Sequence, residues 1–408
     1  MTSDSNNAEV VPGANARLEE LGRGCYAFSA DGCSNTGVII GERGVLIVDA
    51  QATPDLAAIV LQKIRDITDK PVKQVLLTHF HADSTLGASA FEAGEIVASD
   101  LTRRMMDTRG AEEILVSLDR QPALFSTLPA GMTVSLPSMT VASSMSIDLG
   151  RLDVRVMHLG RGHTMGDLVV WVPKTGVLYA GDLVQSNAAP YCGDAHLADW
   201  PRALDRIMAF RPTSLMPGRG RSAKDVAAVA QAIENTRDLV TTLRDAASAC
   251  VEQSLGIKDT FAAVKDTLEP QFGSRADFEL SLPFNVARAY DEALGLDQPQ
   301  IWSRERCADL QDALGGFVET SRSVAEISPQ PVEEVVESET DVSELVSDND
   351  FAASLLDGPG AEEPGDEEIL DLSADDIVET ADEDQDFENT LTDQGEFEEP
   401  KVLLEGVR

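Results

Sequence analysis

The sequence predicts an α/β protein, a four-layer αββα sandwich with helices outside two central β-sheets, and three observations point to it. Short β-rich runs between residues 15 and 220 alternate with helical runs in two successive rounds. Gly, Asp and Asn separate the first strands at turn spacing. A mostly helical stretch from Ser222 to about Gly316 follows the second round.

In chain order, "CYAF", "NTGVII" and "GVLIVDA" read as successive antiparallel strands. "TPDLAAIVLQKIRDI" reads as a helix, with Thr53 as N-cap, Pro54 at the first helical position, and Leu56, Ile59, Val60 and Ile64 near helical spacing. The strand "KQVLLTHF", a helix from Ser84 to Glu92, the strand "EIVAS" and two further helical stretches to about Asp119 complete the first round. Strands around "MTVSL", "MSIDLG", "LDVRVMHLG", "DLVVWVP" and "GVLYAGDLV" open the second, which closes with the helix "DWPRALDRIMAF" and the strand "TSLMPG". The segment "LPFNVARAYDEALG" is a packing helix, with a cap over the substrate or a dimer contact as the functional alternative.

Composition bounds the function. A chain of 408 residues with 43% hydrophobic residues buries a core without disulfides, and Cys25, Cys33, Cys192, Cys250 and Cys307 are odd in number with no CxxC spacing. A reducing cytoplasm fits them. The N-terminus lacks a signal-peptide pattern, and no run of 18 uncharged apolar residues occurs, so neither secretion nor a membrane span is expected. The net charge of −39 is uneven: Pro331 to Arg408 holds 28 acidic residues against Lys401 and Arg408. The expected organisation is a flexible N-terminus (1–14), a catalytic domain (15–222), a helical extension (223–316) and a disordered acidic tail (317–408). Clusters such as "EEILDL" give that tail a pattern suited to a basic or apolar protein partner, although a solubilising role suffices. Nucleic acid is disfavoured, since phosphates need cations.

Chemistry enters at "LLTHFHADSTLGAS". In extended chain His79, His81 and Asp83 project to one side and can reach one ion at a strand end. Imidazole and carboxylate suit zinc, iron or manganese, and a catalytic zinc needs a third protein ligand with one position left open. His163 in "LGRGHTMGDLVV" is the candidate third ligand, and "VLYAGDLV" adds Asp182 at another strand end. His158 is most simply structural.

"THFHADS", "GRGHTMGD", "LYAGDLV" and "MPGRG", in that order, resemble the metallo-β-lactamase-fold metallohydrolases over roughly residues 15 to 222. The resemblance implies that His79, His81 and His163 hold a first metal, that Asp83 and Asp182 serve a second site or bridge, and that Asp49 lies behind a ligand histidine and orients it. Two departures fall on the second metal: Ser84 and Arg219 stand where most two-metal members have histidines. A single zinc ion (Zn2+) is therefore expected, with the Arg219 guanidinium in place of the second cation, free to meet a substrate carboxylate or phosphate.

The expected function is metal-dependent hydrolysis of an ester, thioester or lactone by hydroxide generated at that ion, with Asp83 moving the proton. Two alternatives use the same residues. His79, His163 and Asp182 make a two-histidine, one-carboxylate face for iron, as in the persulfide dioxygenases of this fold. An eroded site on a binding scaffold with an acidic recruiting tail is the other. Cys192, Asp194 and His196 in "APYCGDAHLADW" are candidates for a substrate loop. The substrate and the oligomeric state are not legible.

Overall fold

The computed structural model describes residues 10–316, all within one compact unit. The acidic tail and residues 1–9 lie outside the described residues. The first sheet has seven strands in the order β1 (Arg17–Gly22), β2 (Cys25–Ser29), β3 (Thr36–Ile40), β4 (Val45–Val48), β5 (Val72–Leu76), β6 (Glu95–Ser99) and β7 (Met139–Val141). Strands β1 to β4 pair antiparallel and β4 to β7 parallel. The second sheet runs β12 (Ser214–Met216), β11 (Val177–Tyr179), β10 (Leu168–Val172), β9 (Asp153–His158) and β8 (Ser144–Asp148).

The layers follow from what each face buries. Ile39, Leu46, Val48 and Leu76 of the first sheet meet Val154, Val156, Val170 and Tyr179 of the second in a core between the sheets. The outer face of the first sheet, with Val38, Val45 and Ile47, packs on α1 (Pro54–Arg65) and α3 (Asp100–Arg120) through Val60, Ile64, Met105 and Met106. Thr53 caps α1 as expected, its hydroxyl accepting from Leu56 N at 3.2 Å. The outer face of the second sheet carries α4 (Trp200–Ala209), α5 (Val226–Glu252), α6 (Ile257–Phe272) and α7 (Phe278–Ala293), which share one core with Val169, Trp171 and Leu178. The helical extension is thus built onto that sheet, and α8 (Arg304–Ala313) ends it.

Three local expectations are corrected. The strand placed at Met132–Leu136 forms instead at Met139–Val141, because Pro137 has no N–H and restricts the residue before it, so pairing with β6 begins after it. Two helices before Asp119 are one, α3, since Gly110 sits against Val134 without breaking the helix. The helix from Ser84 to Glu92 divides into α2 (Ala82–Thr85) and a 3-10 turn, Ala88–Phe91. Strand β1 carries no clear pattern, being a half-exposed edge strand with two glutamates. None of the five cysteines is paired, and no helix among the described residues is long and apolar enough to cross a membrane.

Candidate metal centre

The first two histidines come off the end of β5, but not as extended strand. The strand stops at Leu76, Thr78 and His79 form a bend, and His81 is the residue before α2. Alternation of side chains therefore does not bring Asp83 beside the histidines; it stands in the first turn of α2. His79 and His81 instead meet His163, from the loop between β9 and β10. One nitrogen of each ring lies within 4.8 Å of the others, and the ring centroids are 4.7 to 5.1 Å apart. All three rings are buried.

The donor set fits a divalent cation. His79 Nε2 and both ring nitrogens of His163 are buried without a hydrogen-bond partner, an arrangement proteins avoid unless something else binds those atoms. Burial drives the His163 pKa well below the ordinary imidazole value, so the ring is neutral, as a metal ligand must be.

Surrounding groups fix the rings. Asp49 accepts from Thr78 N at 2.8 Å and from Thr78 Oγ1 at 2.9 and 3.0 Å, and the same hydroxyl lies 2.9 Å from His79 Nδ1. A hydroxyl has one proton; given to the carboxylate, it leaves Oγ1 to accept from Nδ1–H, and the His79 lone pair falls on Nε2. Asp49 thus reaches the histidine through Thr78 rather than directly. Burial pushes the Asp49 carboxyl up to about 7 against the pull of His79 and the Thr78 bonds, and Asp49 and Gln51 both hold positive φ, 63° and 70°. Such backbone costs on the order of 1 kcal/mol or more and persists where surrounding structure over-determines it.

His81 Nε2 lies 3.2 Å from Asp194 Oδ2, and Arg109 Nη1 donates to Asp194 Oδ1 at 3.3 Å. Burial opposes charge on His81, but the Asp194 bond and nearby carboxylates outweigh it and lift the ring to about 9. With Nε2 engaged by Asp194, Nδ1 is the nitrogen His81 has to offer. Asp167 lies beside His163, its Oδ1 3.9 Å from Nδ1, and accepts from Thr164 N at 2.9 Å and Thr164 Oγ1 at 2.6 Å; burial pushes its carboxyl up to about 6.

The carboxylates differ in their engagement. Asp83 Oδ2 lies 2.5 Å from Arg219 Nη2 and accepts from Ser34 Oγ at 3.2 Å. Burial pushes Asp83 up, yet the guanidinium overrides it and holds the carboxyl well below the usual range. Arg219 is therefore drawn into the site, only 11% of its side chain exposed, with Asp277 Oδ2 3.8 Å away on its other side. Asp182 Oδ2 is 3.7 Å from His163 Nε2. Glycines make room for this packing: a Cβ on Gly181 (φ +52°) would stand 2.5 Å from Thr78 Oγ1, and one on Gly218 1.8 Å from Asp182 Oδ1.

A narrow cleft opens here, lined by His81, Asp83, Asp182, Tyr191, Arg219 and Arg120 among others. Of the loop candidates, Asp194 supports His81, whereas Cys192 is buried in the core under α7 and His196 is buried away from the cleft. Tyr191, Arg120 and Thr78 escaped sequence reasoning. Thr78 was legible as the residue before His79; Arg120 and Tyr191 carry no local pattern, because their place depends on α3 and α7 meeting the loop.

The sequence profile of the Metallo-beta-lactamase superfamily matches residues 31–219. A metallo-beta-lactamase type 2 of Bacillus sp. (strain 170) is 26% identical over 202 residues, covering 48% of this chain and 70% of that protein. A linear primary-alkylsulfatase of Pseudomonas sp. (strain ATCC 19151) is 24% identical over 240 residues, which is 51% of this chain but only 45% of the relative's own length. A metallo-beta-lactamase structure from Pontibacter korlensis superposes with a TM-score of 0.42 at 20% identity, over 55% of this chain and 99% of that one.

Proposed function

We propose, for a chain whose residues 31–219 belong to the metallo-beta-lactamase superfamily, that it is a single-metal hydrolase of small esters, thioesters or lactones with activated leaving groups. The observation that carries this reading is the pairing of three convergent imidazoles with a guanidinium: His79, His81 and His163 lie within 4.8 Å of one another, while Arg219 lies 2.5 Å from Asp83. Arg219 takes up the Asp83 charge that a second cation would need, and Ser84 offers no nitrogen. Zinc is the preferred metal, since three convergent imidazoles suit it. When bound, such an ion supplies Lewis acidity to a carbonyl and acidifies water in its open position.

The chain's own groups divide the remaining work. Asp83 stays ionised with Oδ2 committed to Arg219. Asp182 makes no hydrogen bond to another described side chain and lines the cleft, so its Oδ2 is the better placed to accept a proton from water and return it to the leaving group. This moves the proton-transfer role from Asp83, where the sequence suggested it, to Asp182. A small-molecule substrate and a reducing cytoplasm complete the reading, the latter supported by five unpaired thiols.

Elemental analysis of the purified protein, followed by hydrolysis assays before and after chelation, tests it. About one zinc per chain, with activity lost to chelator and restored by zinc, is the expected result. Two metals per chain overturn the single-ion site. About one iron turns the assignment towards oxygen-dependent sulfur chemistry, and no metal after reconstitution towards a binding scaffold.

A further inference from the structure

The cations around the cleft are nearly all spoken for. Arg219 holds Asp83, Arg109 holds Asp194, Arg304 holds Asp119, Arg288 holds Glu292 and Arg306 holds Asp291. Arg221, on the rim of a wider opening, is unpaired among the described residues but exposed to solvent; Arg120, the last residue of α3, is the unpaired arginine inside the cleft. Among the described residues it makes no ion pair, and its Nε is buried with no acceptor. Its guanidinium carbon lies 4.1 Å from the centroid of the Tyr191 ring and 5.6 Å from that of Phe284, so stacking holds the group in place while leaving its in-plane donors unused.

A guanidinium whose Nε–H is buried without an acceptor is an expensive arrangement. Burial works against its charge, but Tyr191, Glu113 and Asp83 nearby more than compensate, and it stays protonated. Its position is what gives the arrangement a use. Arg120 lines the cleft together with His81, Asp83, Asp182 and Arg219, and it also lines the wider opening that continues from that cleft past Gln121, Arg219, Asp277 and Leu280. A molecule reaching the histidines through that opening passes Arg120.

We propose that Arg120 is the anion-recognition residue of this site, and that the substrates it selects carry a free carboxylate on the acyl side, away from the bond that is broken. The identification of a bond to be broken rests on the hydrolase reading above; the anion-binding role of Arg120 does not. A planar carboxylate matches the in-plane donors of a stacked guanidinium, and a neutral substrate leaves those donors as they are. Arg219, with its charge committed to Asp83, does not duplicate the role.

Two measurements on the full-length, zinc-loaded protein test this. The first compares kcat/KM for mono-(4-nitrophenyl) glutarate with that for 4-nitrophenyl pentanoate, esters matched in chain length and leaving group and differing in the terminal carboxylate. The expected result is a preference of at least tenfold for the glutarate ester, expressed in KM, that collapses towards one in Arg120→Gln and is partly recovered in Arg120→Lys, which keeps the charge and the stem over Tyr191 but loses the fork. The lysine variant alone serves if the glutamine variant does not fold. Equal use of the two esters by the wild-type protein, or a preference undiminished in the variants, overturns the proposal and leaves the hydrolase reading standing.

The second measurement is glutarate binding by calorimetry. An affinity at least tenfold weaker in Arg120→Gln than in wild type supports the proposal even if neither ester is hydrolysed, an outcome that removes the ester-hydrolase reading instead. No glutarate binding, or equal affinity in both, overturns the anion site.

Discussion

Arg219 illustrates how much one residue decides. Its guanidinium lies 2.5 Å from Asp83 and 3.8 Å from Asp277, a positive charge fixed where two carboxylates face the cleft. Replacing it by histidine exchanges a permanent cation for a neutral nitrogen donor. In Arg219→His the metal content should rise from about one to about two ions per chain by elemental analysis; a count that stays at one refutes exclusion by arginine. Around it, Thr78 does the connecting, giving its proton to Asp49 and receiving that of His79. Partners of ligating histidines typically contribute 10- to 100-fold in metal affinity.

At the scale of elements, α7 is the support of the site loop. Asn285 accepts from Cys192 N at 2.6 Å and donates to Pro190 O at 2.9 Å; Arg288 donates to Ala195 O at 2.6 Å; and Glu292 accepts from Leu197 N and Ala198 N. The loop so held carries Tyr191 and Asp194, the groups behind Arg120 and His81. Asn285→Ala removes both partners of buried backbone groups, a loss of about 2–4 kcal/mol in urea unfolding, and loosening the loop should also weaken metal retention. Unchanged stability would mean that water or another side chain replaces the asparagine. Helix α7 therefore packs and positions at once: Leu282, Val286 and Ala289 of the segment read as a packing helix enter the core, while Asn285, Arg288 and Glu292 hold the loop.

For the whole molecule, buried titratable groups pull the pH dependence of stability in opposite directions. Burial, reinforced by Arg161 and Arg288, lowers His196 to about 4. Its neutral form is the folded form, so its contribution is complete above the unfolded value of about 6.5 and is lost as pH falls towards 4, where the unfolded chain takes up the proton first. Asp49 and Asp167, raised by burial to about 7 and about 6, act the other way: they favour folding at low pH and lose that contribution as pH rises through those values. In His196→Asn the fall in melting temperature between pH 6.5 and 4 should be shallower than in the wild-type protein. Parallel profiles would show that His196 is not held neutral by the fold.

By itself the sequence determined the αββα sandwich, the cap of α1 and the three histidines, because each is written in short-range pattern: hydrophobic periodicity, a Thr-Pro start, and a dense motif in a chain with five histidines. It also marked Arg219 as a departure. Only the tertiary structure decided what the polar groups do. Asp83 and Asp194 look alike in the sequence, yet one faces a guanidinium from residue 219 and the other the ring of His81, contacts across 136 and 113 residues. Arg120 was invisible for the same reason: an arginine at a helix end is ordinary until α3, α7 and the Tyr191 loop converge, stack it on Tyr191 and leave its Nε buried without a partner. Local propensity fixes elements, but the charge state and partner of a buried group depend on which distant segments exclude water from it.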